Sequence, residues 1–575
     1  MKILLVHPDD SVEVGPWATT NWNLVVDLGW SGSAHYAQQT ERLGCRVLSI
    51  YDVLEHDQHR QQIREILSVG LGLVVDSESV DWWETFCFQP YNQLEQILLL
   101  SALAEQVPDH AEVFSTRPHS SVRALSLLLN REIRSYASEP HTGVLVRAGR
   151  YLKAGLNLRS SQLIEIAFDK WDTDYRIRRH FSALPRVSST PAILLPSAYS
   201  NVTRAQVAYA RMLPHQRFLL VVTRRNGRLP NLPGNVELRW LASYAPGSLP
   251  STERDRARLT AIWQQVQNDL FGKSRILSLA KQLQAFDVFG SFLKAGLGVR
   301  DAWREVLAQE HITAVLSADE HNPFTRLPIL LARSRKLRTV FCDHGALNMS
   351  LAFRRPCSDT YLVRGDMARD YLAEWCGLSA NKIIVGSPYA APRPLPPANP
   401  ARKDWIVFFS EAYEVSQGRT QAFYKGLLPE LCALAQQTNR KVIVKLHPFE
   451  SRRTRMLLVR KVLSREQRRL IEMREGPMTS DLFERAWFTV TVESSVAVES
   501  ASYEVPCFLC SWFDASWYEY TKQYAKYSAG YLLDSPKRVR EIPQLLERVQ
   551  ITEATRQGLE SPISPKRLES VLAGT

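Results

Sequence analysis

No run of apolar residues in this chain approaches the ~18 needed to cross a bilayer. The longest, around Ile66–Val75 and Ile97–Leu103, are core-sized. The opening MKILLVHPDD is too short in its apolar stretch for a signal peptide and runs straight into His7-Pro8-Asp9-Asp10. It predicts a first buried strand and a cytoplasmic chain. Cysteine is sparse: eight residues, at 45, 87, 342, 357, 376, 432, 507 and 510, too scattered for a disulfide framework. The one CxxC, Cys507-Phe508-Leu509-Cys510, sits in an apolar run and has no second CxxC to complete a zinc site, so it reads as two small residues of a buried strand. A Walker lysine motif, HExxH, GxSxG and GxGxxG are all missing, which removes most support from ATPase, zinc-peptidase and serine-hydrolase readings. Internal repeats and long low-complexity segments are missing too.

What is present is the composition of a soluble globular protein. At 575 residues, a prior of ~150 per domain allows two to four domains. Lys and Arg number 71 against 59 Asp and Glu, a net +12 that suggests an anionic partner: phosphorylated substrate, acidic membrane surface or nucleic acid.

Short apolar runs alternate with helix-compatible stretches, the patterning of an α/β protein with mainly parallel sheet. Strands are predicted at Ile3–Val6, Val47–Tyr51, Leu71–Val75, Ala192–Pro196, Phe218–Thr223, Thr313–Ser317, Thr339–Cys342, Thr360–Val363 and Lys382–Val385. Between about 85 and 185, Leu94–Ala104, Val122–Leu129 and Leu163–Phe168 recur at helical spacing and read as a helical insertion. Five prolines within 391–400 exclude helix and central strand and mark a linker. Beyond it, Trp405–Phe409, Lys441–Leu446, Phe488–Val492 and Pro506–Leu509 form a second α/β series. The expected organisation is an N-terminal Rossmann-like acceptor domain over 1–390, the linker, a nucleotide-donor domain over 401–550 and a tail over 551–575 whose helix crosses back to the first domain. Ligands of such sheets bind at the carboxyl ends of strands.

Four strand ends carry polar clusters. In Lys441–Pro448, a β-branched strand ends in His447-Pro448, where the imidazole can donate to a phosphate oxygen. Alternation puts Lys445 on the face of His447 only if the strand stays regular. Phe488–Val492 runs into Glu493-Ser494-Ser495 and then a helix; two hydroxyls and free backbone N–H groups at a helix start make an anion site, and Glu499, one turn on, can accept from ribose hydroxyls. Thr339–Cys342 ends in Asp343-His344-Gly345, where His344 can take a proton from an acceptor hydroxyl and Gly345 permits close approach. Ser317-Ala318-Asp319-Glu320-His321 offers paired carboxylates as a general base. Each motif also has a plain alternative: a loop-capping His, a helix N-cap with a solvated Glu, or a hydrogen-bonded turn. A basic stretch, Arg452–Arg474, reads either as a solvated helical face or as a surface resting on anionic lipid or a polyanionic polymer. Its scarcity of aromatics makes nucleic acid the less attractive partner.

The order of motifs from about Thr313 to Leu533 resembles a known group: DHG (Asp343–Gly345), YLVRGDMARDYL (Tyr361–Leu372), KIIVGSP (Lys382–Pro388), KLHP (Lys445–Pro448) and ESS (Glu493–Ser495). It is similar to bacterial GT-B enzymes of surface-polysaccharide assembly, namely capsule polysaccharide synthesis proteins with their Kdo transferases and CDP-glycerol glycerophosphotransferases. Bacterial GT-B sialyltransferases share the acidic-pair, HP and serine-pair pattern. The resemblance implies a GT-B fold of two Rossmann-like domains facing a cleft. It implies a glycosyltransferase moving a sugar or polyol phosphate from a nucleotide-activated donor to a surface glycan or its lipid-linked precursor. No further cofactor is expected, and no metal, because His, Lys and the helix dipole can neutralise the leaving phosphate and no clear DxD-like cluster stands in the sequence. His447 would contact the donor phosphate, Ser494 and Ser495 would bind the phosphates, Asp319 or Glu320 would stand for the acidic base, and His344 would stand for the His of a WHG-type motif. Glu499 looks like the nucleotide-binding Glu of UDP-GlcNAc 2-epimerases. The pattern departs at Asp319-Glu320-His321, which lacks the usual Gly, and at Cys342-Asp343, where Trp would precede the His. Two other readings remain: a 2-epimerase-like isomerase, and a non-catalytic binding protein on the same fold.

Overall fold

A computed structural model describes residues 1–7, 10, 15–29, 40–86, 90–136, 187–224, 227–245, 250–320, 322–345, 347, 355–390, 403–411, 420–447, 450–513 and 520–575. Within them run three all-parallel sheets. The first has the order β3-β2-β1-β4-β5 and comprises Lys2–Val6 (β1), Leu24–Asp27 (β2), Arg46–Ser49 (β3), Glu112–Ser115 (β4) and Arg134–Ser135 (β5). Helices Tyr91–Gln106 (α1) and Ser120–Leu129 (α2) pack against each other beside it.

The second sheet, ordered β12-β11-β10-β9-β6-β7-β8, is formed by Ala192–Ser197 (β6), Phe218–Val222 (β7), Val236–Trp240 (β8), Ile312–Ser317 (β9), Arg338–Cys342 (β10), Thr360–Val363 (β11) and Ile383–Val385 (β12). Its helices include Ser200–Arg211 (α3), Pro250–Gly272 (α4), Phe289–Gln309 (α5) and Asp366–Glu374 (α6). One apolar core spans the first sheet and the long helices of the second, with Trp82, Trp83 and Trp303 fully enclosed. Inside it the buried Arg300 guanidinium is paired with Asp76, Asp255 and Asp301, so its charge does not stand alone.

The third sheet, ordered β15-β14-β13-β16-β17-β18, comprises Trp405–Phe409 (β13), Lys441–Lys445 (β14), Ile471–Arg474 (β15), Ala486–Thr491 (β16), Cys507–Cys510 (β17) and Tyr531–Leu533 (β18). Helices Thr420–Gln437 (α7), Arg452–Val462 (α8), Arg465–Arg468 (α9) and Val496–Ser502 (α10) flank it. The last helix, Pro565–Ala573 (α11), leaves this unit and lies on β9 and β10, burying Leu568, Val571 and Leu572 in the second sheet's core. The expected crossing back is thus present.

In every sheet the first strand sits centrally, the next two run out to one side, and the fourth starts the other side. That is the doubly wound order, which opens a crevice at the carboxyl ends between first and fourth strands: β1/β4, β6/β9 and β13/β16.

Three expectations are corrected. The span before residue 390 holds two sheets, not one, and the described part of the 85–185 interval contains β4 and β5 as well as helices. Those strands are four and two residues long and too short to show a period. Leu71–Val75 forms no strand: Leu71–Leu73 is a turn in which Gly72 takes a φ of +77°, outside strand geometry, and Val75 makes an isolated antiparallel bridge to Asp81. The rest of that interval, the proline-rich linker, Pro448 and His321 lie outside the described residues.

Candidate functional site

Strands β14, β13 and β16 are neighbours in register, Phe409 opposite Lys445 and Phe408 opposite Val490. Their carboxyl ends therefore emerge side by side, and the ends of β14 and β16, each one spacing from β13, lie about 10 Å apart. His447 leaves the first and Glu493-Ser494-Ser495 the second.

His447 is half-buried. Its backbone N–H donates to Glu450 Oε2 at 2.7 Å, while Glu450 Oε1 accepts from Ser410 at 2.8 Å and from Arg455 at 2.6 Å. One buried carboxylate thus fixes the KLHP turn to the end of β13. Burial, and then the neighbouring Lys445 charge, lower the pKa of His447. Lys445 is turned inward, its ammonium donating to the carbonyls of Leu446 and Gly476 at 2.9 and 2.8 Å. Burial and then Arg204, on α3 of the second unit, lower its pKa. A cation from each lobe therefore faces this rim.

The ESS turn differs from expectation. Glu411, just past β13, accepts from Thr491 Oγ1 and from the N–H groups of Val492 and Glu493, at 2.9, 3.1 and 3.0 Å. The N–H groups expected to stand free for an anion are thus partly filled by an internal carboxylate, whose pKa burial raises. What the turn still presents is the half-buried pair Ser494 and Ser495, ahead of a helix of seven residues. Glu411 was not singled out in the sequence, although a Ser-Glu directly after the apolar WIVFF has the same strand-then-polar signature as the other motifs.

Across from these lie the strand ends of the second sheet. Phe341 pairs with Ser317, so β9 and β10 deliver Asp319 and His344 side by side. His344 Nδ1 is hydrogen-bonded to the carbonyl of Ala318. A carbonyl only accepts, so Nδ1 carries the proton and Nε2 is the basic nitrogen. Burial lowers the pKa of His344, and the nearby Asp319 opposes this. Asp319, itself buried, accepts from the Asn322 N–H at 3.2 Å. Glu320 does not join them. Its carboxylate is buried under Ser358 and Tyr361, whose hydroxyls donate to it, the latter at 2.9 Å. A carboxylate so enclosed is a structural acceptor, so of the Asp319-Glu320 pair only Asp319 lies beside His344.

The two rims meet. Among the described residues beyond its chain neighbours, a Cβ built on Gly345 would find one atom within 4 Å, Ser495 Oγ at 3.9 Å. The DHG loop of the second sheet and the ESS turn of the third thus face one another. Beneath that contact, Phe341, Tyr361 and Val363 share an apolar cluster with Ala497, Val498 and Leu509. Gly365, after β11, lets the chain pass where a Cβ would lie 2.3 Å from the Leu559 carbonyl oxygen.

A polar hub that sequence reasoning missed sits at this junction. Arg364 lies 3.7 Å from both Asp343 and Glu560, and Glu499 contributes to its electrostatic surroundings. Burial raises the pKa of Asp343 to about 6 against the pull of Arg364. Glu560 also approaches Ser387 and Ser502, one from each side, at 3.4 Å. Arg364 stands in the quoted YLVRGD run, but nothing local marked it as the link between units.

Among the described residues, no three His, Cys, Asp or Glu side chains are grouped to hold a metal ion, and no helix is long and apolar enough to cross a membrane. Cys507 and Cys510 are buried and free in β17.

The second and third sheets, each doubly wound, facing at their carboxyl ends and bridged by a returning helix, make this an α/β protein of GT-B architecture. No protein-family model matches the chain, and no curated protein matches it. Solved structures similar to it include S. aureus MnaA with UDP (12% identity, 66% of this chain and 95% of that one, TM-score 0.41). The wall teichoic acid polymerase TagF soaked with CDPG is another (10% identity, 75% and 98%, TM-score 0.39). A third is Acinetobacter baumannii MurG (11% identity, 67% and 100%, TM-score 0.38).

Proposed function

We propose that the chain is a glycosyltransferase that moves a sugar, or a polyol phosphate, from a nucleotide-activated donor to a surface glycan or its lipid-linked precursor. The observation that supports this reading is the approach of the DHG loop to the ESS turn, Gly345 to Ser495, with His344 on one side and the serine pair on the other. The donor sits on the third sheet. His447 and the Ser494 and Ser495 hydroxyls donate to its phosphates, Lys445 contributes charge from behind, and Glu499 accepts from the ribose. Ser494 and Ser495 serve through their hydroxyls, since the adjoining backbone N–H groups of Val492 and Glu493 are taken by Glu411.

The acceptor hydroxyl lies toward the second sheet. His344 Nε2, neutral and basic, takes its proton as the acceptor oxygen bonds to the anomeric carbon or to phosphorus. Asp319 stabilises the imidazolium that forms. The bond to the nucleotide breaks, and the charge on the departing phosphate is met by His447 and Lys445. The transfer so described is metal-independent.

A thermal-shift screen against CMP, CDP, UDP, GDP and their sugars tests the reading, since a nucleotide bound to the native state raises the midpoint by mass action. One base is expected to stand out, and His447→Ala should abolish its shift without lowering the ligand-free midpoint. No shift with any nucleotide, or an unchanged shift in His447→Ala, would overturn the donor site.

A further inference from the structure

The basic stretch Arg452–Arg474 resolves into two kinds of residue. Arg455 is buried against Glu450, and Arg474 is paired with Glu472 and Asp481. Of the others, Arg468 is half-buried, while Arg452, Arg453, Arg460 and Lys461 on α8 and Arg465 and Arg469 at α9 are exposed. Among the described residues, the side chains of Arg452, Arg460, Arg465 and Arg469 make no ion pair, and Glu466 is the one exposed acid within 452–469. Amid these cations Leu457 is 58% exposed, the most exposed of the large apolar side chains described. Helical spacing puts it on one face with Arg453, Arg460 and Lys461, at offsets of four, three and four residues. The other face, through Val459, is packed into the third sheet's core, so the outward face is not needed to hold the helix in place.

We infer that the outer face of α8 and α9 docks on an anionic lipid surface, with the cations over headgroups and Leu457 entering the boundary with the acyl chains. Cations without acidic partners account for attraction to any polyanion. The apolar residue at their centre favours a bilayer, because a soluble polyanion leaves Leu457 in water and gains nothing from it, whereas a membrane buries it. Position supports the same assignment. Helix α8 begins just past His447, and the Arg452 backbone N–H is bound to Glu475 beside the Gly476 carbonyl that holds Lys445. Docking through this face therefore lays the carboxyl rim of β14 against the headgroups. On the reading of the cleft given above, an acceptor carried on a lipid would then reach the donor without leaving the membrane.

Co-sedimentation with vesicles tests the assignment. The full chain is mixed with vesicles of phosphatidylcholine alone or of equal phosphatidylcholine and phosphatidylglycerol, at low and high salt. Binding is expected only to the anionic vesicles and should fall as salt screens the surface. Reversing two cations in Arg460→Glu/Lys461→Glu should weaken partition by at least about tenfold, and Leu457→Asp should weaken it as well. Both variants are on an exposed face, so their unfolding midpoints and any nucleotide-induced shift should match the parent; this separates failure of the docking surface from failure of the donor site. Equal binding to both vesicle types, unchanged binding by the double variant, or a Leu457→Asp variant that binds vesicles and soluble polyphosphate as tightly as the parent would overturn the inference. The last result would point to a polyanion instead.

Discussion

At the scale of single residues, the proposed site rests on two histidines whose pKa values are both lowered, in different settings. His344 is fixed by the Ala318 carbonyl and shielded by burial, which suits a base. His447 is lowered by burial and by a lysine whose ammonium is tied to two carbonyls and cannot move away. A phosphate arriving at His447 would reverse that balance by favouring the imidazolium. Linkage then fixes the sign: binding that raises the pKa takes up a proton, so nucleotide affinity should rise as pH falls through the bound-state pKa and level off below the free-state value. Titration calorimetry across that range in two buffers of different ionisation enthalpy checks this. Proton release on binding, or affinity flat with pH, would contradict it. The histidines and serines were readable because each follows an apolar strand in a polar run. Glu320 was readable as an acid but not as a buried one, since its partners Ser358 and Tyr361 come from β11 and the segment just before it. Adjacent residues at a strand end diverge, and only the fold decides which enters the cleft.

At the scale of elements, Glu411 shows how one side chain builds a turn. It holds the end of β16 to the end of β13 by accepting from a hydroxyl and successive N–H groups. Removing it strands buried donors, so Glu411→Ala should cost about 2–3 kcal/mol and loosen the Ser494–Ser495 turn. Glu411→Gln, which keeps an acceptor oxygen, should cost less. Urea unfolding curves for the pair check the order, and equal losses would show that volume rather than hydrogen bonding matters there. Strand legibility followed composition. Continuous β-branched runs such as KVIVK, buried on both faces in a parallel sheet, were found. Strands like Val236–Trp240, half exposed at the edge of the second sheet, and the four-residue Leu24–Asp27 were not, because neither a long apolar run nor a clear alternation marks them.

At the scale of the molecule, the α/β class and the returning helix were legible, while the division of the first 390 residues into two sheets was not. Sequence order alone does not say where one doubly wound sheet stops and another starts. The returning helix carries the chain from the third sheet's unit back onto the second sheet. Leu568 is fully buried, and truncation to Ala should cost about 2–5 kcal/mol. Hydrogen exchange should show that loss in β9 and β10, on which α11 lies, more than in β13 and β14. Protection lost equally in all four strands would mean that the lobes unfold as one unit.

That helix has a consequence for how the protein is made. Translation delivers the second sheet's strands, through Val385, well before it delivers Pro565–Ala573. Until then Leu568, Val571 and Leu572 are missing from the patch they cover, and the nascent lobe shows it to whatever is nearby. A chaperone or a slow ribosome would matter most in that interval, and yield on overexpression should depend more on the span between those two points than on any residue of the cleft.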